Sequence, residues 1–138
     1  MANFTDEAKV RAKFELHDTV LVSSELIDGA IDDAHTEILR YLAPDVEINP
    51  PEEGLVLGET LLAGAHVFRT LAAKDAFDQK HLTIGGQDVA GGQRFNALER
   101  VGTVAEELAW YILEPYLEHP GMRAVGDATD TEPVLGKE

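Results

Sequence analysis

The amino-acid sequence predicts a mainly α-helical fold, a four-helix bundle-like domain, from three observations. Apolar residues recur at spacings of three and four residues in four separate segments. Clusters of proline or glycine lie between most of these segments. The chain has 138 residues and no cysteine, which suits one domain that buries a core without disulfides. We expect a helical domain over residues 1–118 and a flexible C-terminal tail over 119–138, since the tail's composition is poor in apolar residues.

The first two helices are predicted from their caps and apolar spacing. The first should cover residues 5–16, because the hydroxyl of Thr5 can cap its backbone N–H groups. The second should begin after Ser23 or Ser24 and end before Pro44, since the residue before a proline avoids helical geometry. Its apolar face consists of Ile27, Ala30, Ile31, Ala34, Ile38, Tyr41 and Leu42.

The last two helices are predicted on either side of a glycine-rich insertion. A loop over residues 44–54 leads to a third helix over 55–77, which carries few charges and should be the most buried. Residues 81–93 are interpreted as a flexible loop or a small β-hairpin around Gly85-Gly86. The fourth helix should cover residues 95–114, and Pro115 should end or kink it. Its apolar side comprises Leu98, Val101, Ala105, Leu108, Ala109, Ile112 and Leu113.

The charge of the chain limits its partners. With 26 acidic and 11 basic residues, the formal net charge is −15. A surface this negative repels phosphate backbones and anionic membranes, so we expect no DNA binding and no membrane association. No run of apolar residues approaches the about 20 needed to span a bilayer, and the N-terminus is charged throughout. We therefore expect a soluble protein made in the cytoplasm.

No catalytic constellation is apparent in the sequence. Two Gly-Gly-Gln triplets, at 85–87 and 91–93, resemble the loop that release factors use to hydrolyse peptidyl-tRNA. The acidic chain is unsuited to RNA, so turn chemistry explains them better. There is no nucleophile motif and no phosphate-binding loop. No acidic residue lies in an obviously apolar setting that would raise its pKa. We predict that the chain is not an enzyme.

The second helix carries one pair of residues with the spacing of metal ligands. Asp32 and His35 are three residues apart, whereas di-metal bundles use Glu-x-x-His pairs from two helices and further glutamates. We therefore predict that His35 lies on a polar helix face and that the chain holds no metal or cofactor. On the fourth helix, Trp110 and Tyr111 are expected to pack in the core, with an intersubunit anchor as the alternative.

Three stretches of the chain resemble the head-tail connector (adaptor, or head-completion) proteins of tailed bacteriophages and prophages. They are VRAKFEL (10–16) followed by Asp18, VSSELIDGAIDDA (22–34) running on to Glu37-Ile38 and Tyr41-Leu42, and the final helix, which ends in LEPYL (113–117). The resemblance covers about residues 5–118 and consists of helix and loop patterns. The family also carries a flexible segment before its last helix, at the place of the glycine-rich insertion.

The resemblance implies a structural role in the neck of the virion, after synthesis in the bacterial host cytoplasm. Family members are often monomeric alone and form a ring, commonly of twelve copies, under the portal protein. The ring extends the DNA channel and binds a stopper or tail-completion protein. The alternatives are another neck or tail-assembly protein, such as a tail terminator, and a small helical metal-dependent enzyme.

We predict interface residues from their location alone, in the insertion, on the last helix or in the tail. The predicted interface residues are Leu82, Ile84, Gly85, Gly86, Gln87, Val89, Gly91, Gly92, Trp110, His119, Met122, Arg123, Val125, Val134 and Leu135.

Overall fold

The chain forms four helices in sequence. The computed structural model describes residues 2–82 and 88–118. Helix α1 is Glu7–Phe14, α2 is Ser24–Tyr41, α3 is Glu53–Leu82 and α4 is Asp88–Leu113, followed by a single 3₁₀ turn at Glu114–Tyr116. In this described part of the chain, β-type pairing is limited to isolated bridges that join Leu42 to Leu117 and Ile48 to Pro51. The predicted all-α, bundle-like fold is confirmed.

The cap of α2 matches the sequence prediction, whereas the cap of α1 differs from it. Ser23 caps α2, because its hydroxyl accepts a hydrogen bond from Leu26 N at 3.1 Å. At α1 the prediction of Thr5 was wrong: Asp6 caps the helix and accepts from Lys9 N at 2.9 Å. Thr5 instead lies buried and contacts α3. Helix α1 ends at Glu15, which adopts a left-handed conformation with φ of 55°.

Helices α3 and α4 extend further toward each other than predicted. The expected boundaries of 77 and 95 become 82 and 88, so Leu82 ends α3, and Val89, Gly91 and Gly92 lie in the first turns of α4. The hairpin over 81–93 is therefore wrong for its described residues, and residues 83–87 lie outside the described part. Each glycine costs about 1 kcal/mol in a helix, but adding a residue to an existing packed helix avoids the cost of nucleation.

Helix α3 is the centre of the fold and packs against each of the other three helices. Glycines allow these approaches: a Cβ at Gly58 would collide with Leu113 of α4, and a Cβ at Gly64 would collide with the Phe14 ring of α1. The prediction that the third helix is the most buried therefore agrees with its packing. The core consists of Phe4, Val10, Val22, Ile27, Ala30, Ile31, Ala34, Ile38, Leu55, Leu61, Leu62, Ala63, Val67, Leu71, Ala109 and Leu113.

The central position of α3 also explains its composition. By length and hydropathy alone, the segment Glu53–Ala76 could cross a membrane, with a mean hydropathy of 1.2 in its most apolar window. The sequence prediction that no run was long enough therefore overlooked this helix. Within the fold, 67% of that window is buried inside the protein, as in the core helix of a helical bundle.

The close contact at Gly58 predicts the effect of adding one methyl group. Gly58→Ala should destabilise the protein by about 1–3 kcal/mol, because Leu113 is fully buried and has no space to move. Gly29→Ala is the matched control on α2, since no atom lies within 4 Å of its added Cβ, and it should stabilise by about 0.5–1 kcal/mol. Urea unfolding of both variants measures the difference. Equal stabilisation by the two changes would contradict this packing.

Candidate functional site

The described part of the chain contains few of the predicted interface residues. Leu82, Val89, Gly91 and Gly92 lie in helices, where only their backbone is described. Residues 84–87 of the insertion lie outside the described residues, as do all the predicted tail residues: His119, Met122, Arg123, Val125, Val134 and Leu135. The interface prediction at these positions therefore stays a prediction.

Trp110 is the one predicted interface residue whose side chain is described. It is half-buried and packs at the edge of the core, with its ring 6.1 Å from that of Tyr41 in a T-shaped arrangement. The two rings line a shallow cavity of about 360 Å³ together with Glu37 and Leu117. This position agrees with the core interpretation and leaves part of the indole accessible.

The largest departure from the predicted core is an exposed apolar row on α4. Val101, Val104, Leu108 and Tyr111 are 40%, 55%, 45% and 75% exposed. Their spacing of three, four and three residues places them in one row along the helix, which we call the α4 stripe. The sequence analysis had assigned Val101 and Leu108 to the core side and had expected Tyr111 to pack there too.

The buried side of α4 explains why this row stays exposed. Ala105, Ala109 and Leu113 are buried, and Gly102 lies against Arg69 and the Ala65 carbonyl of α3. Helix α4 thus packs on α3 through small residues and Leu113, which share one face of the helix. The apolar residues of α4 extend beyond that face, so the apolar side chains outside the contact with α3 are exposed to solvent.

A buried polar cluster on the other side of α3 was missed by the sequence analysis. Glu59 is 0% exposed. Its Oε2 accepts hydrogen bonds from Phe4 N at 2.8 Å and Thr5 N at 3.0 Å, and its Oε1 lies 2.7 Å from Nδ1 of His35. The signal was present in the sequence: Glu59 stands inside the apolar run LVLGETLLAGA. The statement that no acidic residue lies in an apolar setting was wrong.

The threonines extend this cluster. The hydroxyl of Thr60 donates to the Val56 carbonyl at 2.7 Å, as is common for threonine in helices. The Thr5 hydroxyl, 2.6 Å from Thr60 Oγ1, therefore donates to it. The ring of Phe4 meets the His35 ring edge-on at 4.6 Å. Together these contacts fix the N-terminal segment against α2 and α3.

Burial dominates the electrostatics of this cluster. It raises the pKa of the Glu59 carboxyl above its ordinary value, against the lowering effect of the hydrogen bonds from Thr5, His35 and Phe4. Nε2 of His35 is buried without a hydrogen-bond partner.

The structure separates the two residues that the sequence suggested as a metal-binding pair. His35 is buried, so the prediction that it lies on a polar helix face was wrong. Asp32 is exposed and accepts from Asn3 at 2.9 Å, so the two residues considered as a metal pair are not brought together. Within residues 2–82 and 88–118, no group of three or more His, Asp or Glu side chains could hold a metal ion.

Comparisons with protein-family models, with curated proteins and with solved structures each found no significant match.

The hydrogen bonds of Glu59 predict a large difference between two substitutions. Glu59→Ala should destabilise the protein by about 3–5 kcal/mol, because it leaves two backbone N–H groups and His35 without their partner. Glu59→Gln keeps an oxygen for the two N–H groups and should cost about 1–2 kcal/mol or less. Chemical unfolding at neutral pH measures both. Similar losses in the two variants would contradict the role of these hydrogen bonds.

The raised pKa predicts a specific pH dependence. The folded protein keeps the Glu59 proton to a higher pH than the unfolded chain, whose ordinary value is 4.5. The unfolding free energy of the wild type, measured relative to that of Glu59→Gln, should therefore decrease as the pH rises above 4.5. It should become constant above the pKa that Glu59 has in the folded protein. Paired urea unfolding curves from about pH 4 to about pH 8 measure this difference. A difference that instead favours the wild type with rising pH would overturn it.

Proposed function

We propose that this chain is a structural protein of a tailed-phage virion, a head-tail connector that forms a ring under the portal. The α4 stripe is the observation that carries the proposal. It presents four apolar side chains in one row on a long helix, and such a surface is characteristic of a protein that functions by binding other proteins. The proposal assigns no catalysis to the chain.

The placement of the resembling stretches supports the proposal. The guanidinium of Arg11, in the first stretch, donates to the carbonyls of Leu16 and Val22 at 2.8 Å each. The first and second stretches are therefore joined where α2 begins.

The second and third stretches meet at the other end of α2. Ala43 N donates to the Tyr116 carbonyl at 3.0 Å, and Glu118 N donates to the Tyr41 carbonyl at 2.6 Å. The three stretches thus contact one another within one folded unit, as expected if the resemblance reflects a shared fold.

The charge of the chain supports the DNA-channel part of the proposal. A net charge of −15 repels the phosphate backbone, so DNA can pass through a ring of such subunits without being held. In this proposal the partners are the portal protein and a stopper or tail-completion protein, and the site of action is the virion neck. In a tail terminator or another neck protein, the α4 stripe and the negative charge would have the same roles, but the partner protein would differ.

The proposal is tested by assembly with the portal protein encoded in the same genome. Electron microscopy should show rings of this chain attached to the portal rather than to tail tubes. Attachment to tail tubes alone would favour the terminator alternative. Absence of any ring or complex under all assembly conditions would refute the proposal.

The α4 stripe predicts a variant that folds normally but does not assemble. Leu108→Glu places a charge in the middle of the stripe and should abolish ring formation, with unfolding free energy within about 0.5 kcal/mol of the wild type because the side chain is exposed. Thr103→Glu is the matched control, since it adds the same charge to an exposed position of α4 outside the stripe. Normal assembly of Leu108→Glu would show that the stripe is not an interface.

A further inference from the structure

A second surface of the molecule is an apolar groove with two lysines beside it. A groove of about 490 Å³ lies between α1 and the start of α3, with an apolar floor that includes Val56 and Leu57. Lys9 and Lys13 of α1 stand at its rim, and Leu57 is 37% exposed. We call it the α1–α3 groove. Its lining consists of Lys9, Ala12, Lys13, Pro51, Glu53, Val56, Leu57 and Thr60.

Two acidic residues beside the stripe match two basic residues at the groove. Glu107 in α4 and Glu114 in the 3₁₀ turn after it are exposed and lie seven residues apart along one side of the stripe, where Arg100 also lies. At the groove, Lys9 forms an exposed ion pair with Asp6 at 3.0 Å, and Glu53 contributes one acidic group. Lys13 has no ion pair within the described residues and is exposed. Basic residues at an apolar groove are distinctive in a chain with 26 acidic and 11 basic residues.

The two surfaces lie on different sides of α3. Gly58 faces Leu113 of α4, whereas Val56 and Thr60 line the groove. At about 100° per residue, positions two residues before and after Gly58 point about 160° away from it. One copy therefore cannot cover its own stripe with its own groove.

We infer that the α4 stripe of one copy docks in the α1–α3 groove of a second copy of this chain. Between Val101 and Tyr111 the stripe is about 15 Å long, and Glu53 to Thr60 of the groove spans about 10 Å. The apolar side chains of the stripe would cover the floor, while Glu107 and Glu114 approach Lys9 and Lys13. The inference specifies the contact within the ring and so rests on the proposed function.

The alternative is stripe against stripe, in a two-fold antiparallel pairing of Val104 with Leu108 that has its midpoint at residue 106 of both copies. Glu107 of each copy then lies beside Glu107 of the other, but Arg100 lies beside Glu114 of the other copy, so these charges favour neither contact. A two-fold contact closes on itself and joins two copies only. A stripe-to-groove contact is head-to-tail, and repeated contacts of this kind close into a ring when the rotation between copies allows it.

The absence of cysteine makes the contact directly testable by cross-linking. Full-length Leu108→Cys and Ala12→Cys proteins are mixed in equal amounts, assembled on the portal and treated with a short bis-maleimide. We expect cross-linked dimers that join position 108 of one copy to position 12 of the other, identified by mass spectrometry. Thr103→Cys mixed with Ala12→Cys is the matched control and should show loss of this product.

The outcomes separate this inference from the proposed function. Cross-links between two copies of position 108, without 108-to-12 products, would overturn the stripe-to-groove contact in favour of a two-fold one. Absence of both products while rings still form on the portal would overturn the contact and leave the proposed function intact. Absence of any binding to the portal would overturn both.

Discussion

The packing of α3 against three neighbours is the constraint on which the rest of the structure depends. A helix that contacts partners on several sides needs small residues where the backbones approach, and Gly58 and Gly64 supply them toward α4 and α1. Each glycine weakens the helix by about 1 kcal/mol relative to alanine. The cost is offset because Leu113 and Phe14 occupy the space that a methyl group would take. The two glycines therefore lower the helix propensity of α3 and allow close contact with its neighbours.

The same helix carries the buried carboxylate that positions the N-terminus. An unpaired charge in the core would be strongly unfavourable, so Glu59 is tolerated only because three hydrogen-bond donors surround it. Apolar residues of similar size at this site could give equal stability. They would not define where Phe4 and Thr5 lie, because apolar contacts have no direction. The cluster therefore contributes a defined arrangement of chain segments more than net stability.

Sequence reasoning succeeded where the cause of a feature is local. Ser23 caps α2 through the N–H three residues ahead, and Pro44 limits the same helix, so both can be read from neighbouring residues. It failed where the cause lies in a distant segment. Thr5 has the chemistry of a cap, but its hydroxyl is used by Thr60, 55 residues away. The longer reach of α3, to Leu82, and of α4, from Asp88 through Gly91 and Gly92, was likewise missed, because glycines in a local pattern favour a turn.

The α4 stripe shows why the candidate site was only partly predictable. Periodicity identified the apolar residues of α4, among them Val101 and Leu108, but could not tell how many faces of the helix would find a partner. Small residues at 102, 105 and 109 restrict the contact with α3 to one narrow face. A helix that is apolar over more of its circumference must then expose a row of apolar side chains to water or bury it against another molecule. The exposed row is thus a consequence of the same close packing that places α3 at the centre, because the small residues of α4 on that face leave its other apolar side chains outside the contact.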